Sequence, residues 1–262
     1  MSPFLEFDYV IIGAGSAGCV LANRLSADGK NSVLLLEAGP KDRNIWIHVP
    51  LGYGRLFKTK TVNWMYHTEP EPGLDGRTVF QPRGKVLGGS SSINGLLYVR
   101  GQHQDYDRWR QRGNEGWSYD DILPYFKKAE NQQRGSGHFH GVGGPLPVSD
   151  LTHADPLSAA FIAAAIETGI PSNQDFNGAT QEGAGYFQTT TRYGRRASTA
   201  VAYLRPAKGR KNLQVETSAL AQRIVFNERR AEMVEYRKEG TLRMVRARKE
   251  IVVSSGAYNS PQ

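Results

Sequence analysis

Two glycine-rich stretches carry the residues nearest to chemistry. The first is GAGSAG, in which Gly13, Gly15 and Gly18 keep the G-x-G-x-x-G spacing. The second is VLGGSSSINGLLYVRG, which crowds Gly88, Gly89 and three serines, Ser90 among them, into five consecutive positions. Ser90–Ser92 have no candidate His or Asp partners at recognisable spacing, so a nucleophilic serine is not the better reading. What small residues and bare main chain can do is hold an anion close. Gly13 permits a tight turn, Gly15 lets a pyrophosphate reach the backbone, and Gly18 lets a helix pack on a strand. Ser16 and Ala17 open that helix, where free N–H groups and the positive dipole end favour a diphosphate. Glu37, with Ala38 beside it, stands about twenty residues further on, where a carboxylate accepts hydrogen bonds from ribose hydroxyls. A carboxylate there repels a 2′-phosphate, so NADP is disfavoured. The pattern names a dinucleotide and leaves NAD and FAD both open.

The elements that would position these residues are legible. FDYVII, residues 7–12, reads as a strand buried on both faces. SAGCVLANRLSA reads as a helix with Val20, Leu21 and Leu25 on one face, and SVLLLE as a second strand ending at Glu37. Strand, glycine turn, helix, strand and acid occur in the order that a dinucleotide fold requires. Cys19, inside the helix, reads as a small core residue rather than a reactive thiol.

Composition narrows the class. The 262 residues are 39% hydrophobic and 10% aromatic, which suits a folded globular protein. A single cysteine forbids an internal disulfide and fits a reducing compartment, and no secretory signal or membrane-spanning run is visible, so a cytoplasmic location is expected. The net charge of +8 raises nucleic-acid binding. Its basic residues interleave with acids from Arg223 to Glu250, and no recognition motif accompanies them, so a solvated surface is the better reading. His138 and His140 lack further ligands at metal spacing and read as surface or turn residues; no metal site is expected. GGSSS taken alone would suit a flexible linker, but apolar residues flank it on both sides.

After Glu37 no regular strand–helix–strand continuation follows. The run NWMYHTEPEPGLDGR and then PRGKVLGGSSSIN resembles the glucose–methanol–choline (GMC) oxidoreductases, FAD-dependent alcohol dehydrogenases and oxidases. Gly84, Lys85, Leu87, Gly88, Gly89, Ser90, Ser91, Ile93, Asn94, Tyr98, Gly101 and Asp107 match the family's first signature, and DYDRWRQRGNEGWSYDDILPYFKKAEN and HFHGVGGPLPV are typical of its choline-dehydrogenase-like branch. The resemblance implies that Gly88, Gly89 and Ser90 pass against the flavin diphosphate and ribityl chain as a second anion nest. It implies that Asn94, Gly95, Leu96 and Leu97 lie along the isoalloxazine, and that Val86 and Ala221 are further cofactor contacts. Some relatives attach the flavin through a histidine at the place held here by Ile93, so dissociable, non-covalent FAD is expected.

The implied fold class is α/β: a Rossmann-type FAD-binding domain with a parallel sheet, plus part of a discontinuous α+β substrate-binding domain. The expected division is residues 1–155 for the first part of the FAD domain, 156–210 for a partial substrate-domain insertion and 211–262 for returning strands. Pro156–Gly169 reads as a helix, as does a short piece from about Ser198 to Leu204; LQVETSALAQRIVF, AEMVEYR and LRMVRARKEIVV read as strands. The closing KEIVVSSGAYNSPQ matches the start of the family's second signature, so the chain is expected to be the N-terminal part of a longer enzyme whose active-site histidine lies beyond it. No residue here takes the catalytic role by matching. The implied activity is oxidation of an alcohol to a carbonyl with oxygen or a quinone-type acceptor and no nucleic-acid partner. A non-catalytic FAD-binding remnant and a lyase using FAD structurally are the alternatives.

Overall fold

The computed structural model describes residues 5–262. Contacts divide the chain into two compact units, one formed by the chain through Gly95 together with Ser198–Gln262, the other by Leu96–Ala197. These breaks fall elsewhere than the expected 155/156 and 210/211. Residues 96–155 join the second unit because they pair with later segments of it: Leu97 and Ser149 both bridge to Thr189, and Tyr98 N–H donates to the Gln188 carbonyl at 2.9 Å.

The first unit is built on a six-stranded sheet. Its strands are β1 (Leu5–Ile12), β2 (Val33–Leu36), β3 (Leu213–Glu216), β4 (Ala219–Asn227), β5 (Arg230–Lys238) and β6 (Thr241–Val253), in the spatial order β4-β5-β6-β1-β2-β3. The pairs β6–β1, β1–β2 and β2–β3 are parallel; β4–β5 and β5–β6 are antiparallel. Burial follows that arrangement. All four residues of β2 are buried, as are Val10, Ile11 and Ile12 of β1, the pattern of central parallel strands. The antiparallel strands instead alternate: Val234, Tyr236, Val245 and Ala247 are buried and join Phe7, Val10, Leu34 and Leu36 in one core cluster, while their sequence neighbours are more exposed. Each aliphatic side chain fully withdrawn from water contributes about 1.5–3 kcal/mol. Helix α1 (Ser16–Leu25) makes the connection from β1 to β2. The architecture is the expected α/β, Rossmann-type one.

LQVETSALAQRIVF is two strands, not one. Ser218 takes a φ of 52°, the first strand ends there, and the halves go to opposite edges of the sheet. The link is tied to the end of β2: Ser218 N–H donates to Gly39 O and Ala219 N–H to Glu37 O, both at 2.8 Å. The segment expected as a short helix near Ser198–Leu204 is a π-helical turn at Ala200–Leu204 followed by an α-turn at Arg205–Ala207.

The second unit holds α2 (His103–Gln111), α3 (Tyr119–Ala129) and α4 (Pro156–Glu167) with short ladders between them. Ser118 caps α3 in a reciprocal box with Asp121, and Asp155 caps α4 by accepting from Leu157 N–H at 2.8 Å. Among the described residues no helix is long and apolar enough to cross a membrane.

Candidate functional site

The strand–turn–helix of the first unit is assembled as its spacing predicts. Gly13, at φ +96°, leaves β1 in a turn packed against the end of β6, where a Cβ would lie 2.6 Å from Ser254 O. Ser254 Oγ donates to the carbonyls of Ile12 and Gly13 at 3.0 and 2.9 Å, which fixes the turn from below. A Cβ on Gly18 would fall 1.9 Å from Gly13 O, so only glycine lets α1 sit this close to the strand end. Gly15 caps α1 with no side-chain hydrogen bond, and Ser16 and Ala17 are exposed. The first amides of a helix have no acceptor within it. They are the donors an anion would meet.

The second glycine stretch lies against the first. Gly88 N–H donates to Ala14 O at 2.8 Å, and a Cβ on Gly89 would lie 2.7 Å from the Gly15 Cα. The serine-rich run is therefore no linker but a 3-10 turn, Gly89–Ser92. Its hydroxyls explain its composition. Ser92 Oγ donates to Leu87 O and Ser91 Oγ to Gly88 O, each at 2.6 Å, while Ser90 Oγ accepts from Gly84 N–H at 3.1 Å and stays exposed. Two of the three serines hold the turn from within, and one faces outward. Gly88 and Gly89 spend their own N–H groups on Ala14 O and Val86 O. This loop thus offers closeness of main chain more than a ring of free donors, unlike the nest expected of it.

Glu37 joins the two stretches from a third side. Its Oε2 accepts from Ala14 N–H at 2.9 Å and its Oε1 from Gly39 N–H at 2.8 Å. The side chain is 5% exposed. Burial pushes its pKa up to about 7, against the two amide hydrogen bonds and the nearby Lys85 ammonium, which pull it down. The expected ribose ligand is thus also the brace of the first glycine turn. Ala38 follows it half-buried, and Gly39 packs so closely on Lys85 that a Cβ there would meet Lys85 O at 1.9 Å.

The remaining expected residues divide. Val86 is wholly enclosed in a cluster with Ile47, Leu56, Val62 and Ile93, so its side chain packs rather than faces outward. Asn94 and Gly95 are exposed at the end of the turn, and a Cβ on Gly95 would meet nothing within 4 Å. Ala221 is half-buried on β4, two residues beyond the Ala219 amide that bonds Glu37 O. Leu96 and Leu97 belong to the second unit, where Leu96 has φ 67° and its carbonyl accepts from Thr190 N–H at 2.9 Å; Leu97 is 58% exposed. Cys19 is buried, donates to Ala14 O at 3.2 Å, and has its thiol pushed up to about 12 by burial.

These residues fit a diphosphate. At Gly15 the direction a Cβ would fill is open, with Ser254 O the nearest atom at 4.0 Å, and the uncapped start of α1 adjoins that space.

Two features escaped the sequence. Thr199, far from either glycine run, exchanges hydrogen bonds with Ser91. In the second unit, His140 is not a simple turn residue. Its Nε2 meets Asp175 at 2.8 Å and its Nδ1 meets the buried Glu130 at 3.1 Å, while Arg100 reaches the same Glu130 at 3.0 Å. His138 is exposed as expected. Among the described residues no group of three or more side chains is arranged to hold a metal ion.

Comparison with known proteins gives a consistent family. The GMC oxidoreductase family model matches residues 7–262. The mitochondrial choline dehydrogenase of Mus musculus is 47% identical over 98% of this chain and 44% of its own length. An alcohol dehydrogenase [acceptor] of Pseudomonas putida is 47% identical over 98% of this chain and 47% of its own. Among solved structures, pyridoxine 4-oxidase from Mesorbium loti superposes with a TM-score of 0.93 at 35% identity, covering 97% of this chain and 50% of that one. Formate oxidase gives 0.89 at 26% identity, with 100% and 47% covered. The chain spans about half the length of the curated relatives it matches.

Proposed function

The chain belongs to the GMC oxidoreductase family, and from that premise we propose that it is the FAD-binding portion of an enzyme that oxidises an alcohol to an aldehyde or ketone. The single observation that carries this reading is the meeting of the two glycine loops, with Gly88 N–H on Ala14 O and Gly89 against Gly15. In this reading the start of α1 holds the diphosphate, the Gly88–Ser90 main chain borders it, and Glu37 accepts from the adenosine ribose with the oxygen lone pairs its amide bonds leave over. Asn94 and Gly95, exposed and with open space at Gly95, lie toward the ring system. When bound, the flavin supplies a hydride acceptor for the alcohol carbon.

The first compact unit is assigned to the cofactor, and the second to the substrate. The substrate is a small-molecule alcohol, in keeping with relatives named for choline, alcohol and pyridoxine. Oxygen or a quinone-type acceptor takes the electrons, and no nucleic acid takes part. The cofactor is held without a covalent bond, since Ile93 offers no nucleophile and is buried in an apolar cluster. A reducing compartment, cytoplasmic in the simplest case, suits a lone buried thiol; subcellular fractionation decides between that and the organelle in which a relative is named.

The test is direct. The purified chain should carry a flavin spectrum with one FAD per chain, and apo-protein should recover it on mixing with FAD. Joined to the length its relatives possess, it should bleach anaerobically on adding a primary alcohol. A chain that folds yet takes up no FAD sinks the reading; bound FAD without bleaching marks a non-catalytic module, and cyanide release without bleaching marks a lyase.

A further inference from the structure

Thr199 lies at the start of the Ala200–Leu204 turn, is 8% exposed, and belongs to neither glycine stretch. Its N–H donates to Ser91 Oγ at 3.0 Å, and its hydroxyl lies 2.9 Å from the same oxygen. Ser91 Oγ in turn gives its proton to Gly88 O at 2.6 Å, and Thr199 Oγ1 is itself 3.5 Å from that carbonyl. With the Ser91 proton on Gly88 O, the Thr199 hydroxyl proton is left for Ser91 Oγ, so the Gly88 carbonyl is held by the Ser91 hydroxyl and the Ser91 N–H at 3.1 Å, and Thr199 backs that hydroxyl. A peptide plane is rigid, so fixing the Gly88 carbonyl also fixes the N–H of Gly89 and the entry of the chain into the 3-10 turn.

The same segment holds α1. Asn23 Nδ2 donates to Tyr203 O at 2.8 Å, and the Ala200 Cβ stands 3.3 Å from where a Cβ on Gly88 would be. One short stretch thus touches the helix whose first turn faces the diphosphate and the loop that borders it.

We propose that Thr199 is a positioning residue for the cofactor site: through Ser91 it orients the Gly88–Gly89 peptide and sets the spacing between the two glycine loops without touching the cofactor. The part that concerns affinity rests on the FAD reading above; the part that concerns the loop does not.

The experiment uses the whole chain with Thr199→Val, Thr199→Ser and Ser91→Ala. Amide hydrogen exchange, followed by mass spectrometry on cofactor-free protein, reads the loop itself. Thr199→Val and Ser91→Ala should exchange about tenfold faster than wild type in peptides covering residues 84–94, as expected for loss of one hydrogen bond, while peptides from β5 and β6 stay unchanged. FAD titration by flavin fluorescence should then give about a tenfold weaker Kd for both variants, carried by faster release, and Thr199→Ser should return to within about twofold of wild type. The double variant should be no weaker than the worse single one, because both remove the same link. Unchanged exchange at 84–94 in both variants overturns the proposal, as does wild-type affinity in the face of faster exchange. Equal acceleration in β5 and β6 also overturns it, since Thr199 would then be a general stabiliser. If wild type takes up no FAD, the functional reading fails on its own, and the exchange data still decide whether Thr199 holds the loop.

Discussion

Gly89 is held so close to Gly15 that a Cβ on it would lie 2.7 Å from the Gly15 Cα. Real Cβ atoms do not approach backbone this nearly, so the contact is open to glycine alone. The constraint runs one way: Gly89 must be small to pass Gly15, whereas the direction a Cβ on Gly15 would fill is open, with Ser254 O the nearest atom at 4.0 Å.

Gly89→Ala follows from that contact. The residue has φ +53°, which costs a non-glycine residue about 1 kcal/mol, and the clash with backbone adds about 1–3 kcal/mol. Thermal unfolding should fall by several degrees and the isolated protein should lose most of its FAD. Gly76→Ala is the control: its φ is +70° but nothing lies within 4 Å, so only the backbone cost remains and FAD content is unchanged. Equal losses from the two variants would count against the close approach.

Glu37 makes stability depend on pH. Its pKa of about 7 in the folded chain lies above the ordinary 4.5, so the folded state holds this proton more tightly than the unfolded one. The stability it lends is complete below about pH 4.5 and lost as pH rises through about 7, to the extent of about 3 kcal/mol. Urea unfolding of cofactor-free wild type and Glu37→Gln at pH 5 and pH 8 reads this. Wild type should lose more between the two than the variant does; parallel behaviour refutes the assignment.

His140 gives the opposite end of the scale. Hydrogen bonds first to Asp175 and then to Glu130 raise its pKa to about 9 from 6.5. Its contribution is full below about pH 6.5 and disappears as pH climbs through 9. Melting followed by tryptophan fluorescence, two of the four tryptophans being Trp109 and Trp117 of the same unit, should show a lower midpoint at pH 10 than at pH 7. His140→Gln should be less stable at pH 7 and flat across that interval.

Ile93 stands 1% exposed in the cluster of Ile47, Leu56, Val62 and Val86. With no nucleophile at this position, acid precipitation of the holoprotein should leave all flavin in the supernatant and a colourless pellet. A yellow pellet would show a covalent bond formed elsewhere.

The first glycine turn was legible because its cause is local. Gly13 takes the positive φ of the turn and Gly18 packs on the Gly13 carbonyl five residues back, and β1, α1 and β2 carry their own periodicity; only the closure of Ser254 on Gly13 comes from far along the chain. The second stretch was legible only through a long signature, since its partner Ala14 lies far back in the chain. Thr199 and His140 were hidden for the same reason in stronger form. Thr199 acts on Ser91, and His140 draws Glu130 and Asp175 from separate segments, so no spacing rule links them. Ser218 misled in a different way: LQVETSALAQRIVF is β-prone throughout, and only the bonds of Ser218 and Ala219 to Gly39 and Glu37 break the strand there. No composition shift marks Leu96, because the second unit is tied there by single bridges of Leu97 and Ser149 to Thr189 rather than by regular elements.

The position of β1 between β2 and β6 carries a consequence for biosynthesis. On the ribosome, β1 and β2 emerge early, but the flank that β6 covers stays open until residues 241–253 have been translated. During that wait the nascent chain exposes an unpaired, aliphatic strand edge, the kind of surface that seeds association between chains. Closure across so long a span is slow, so yield in a heterologous host should rise with chaperone supply and lower growth temperature.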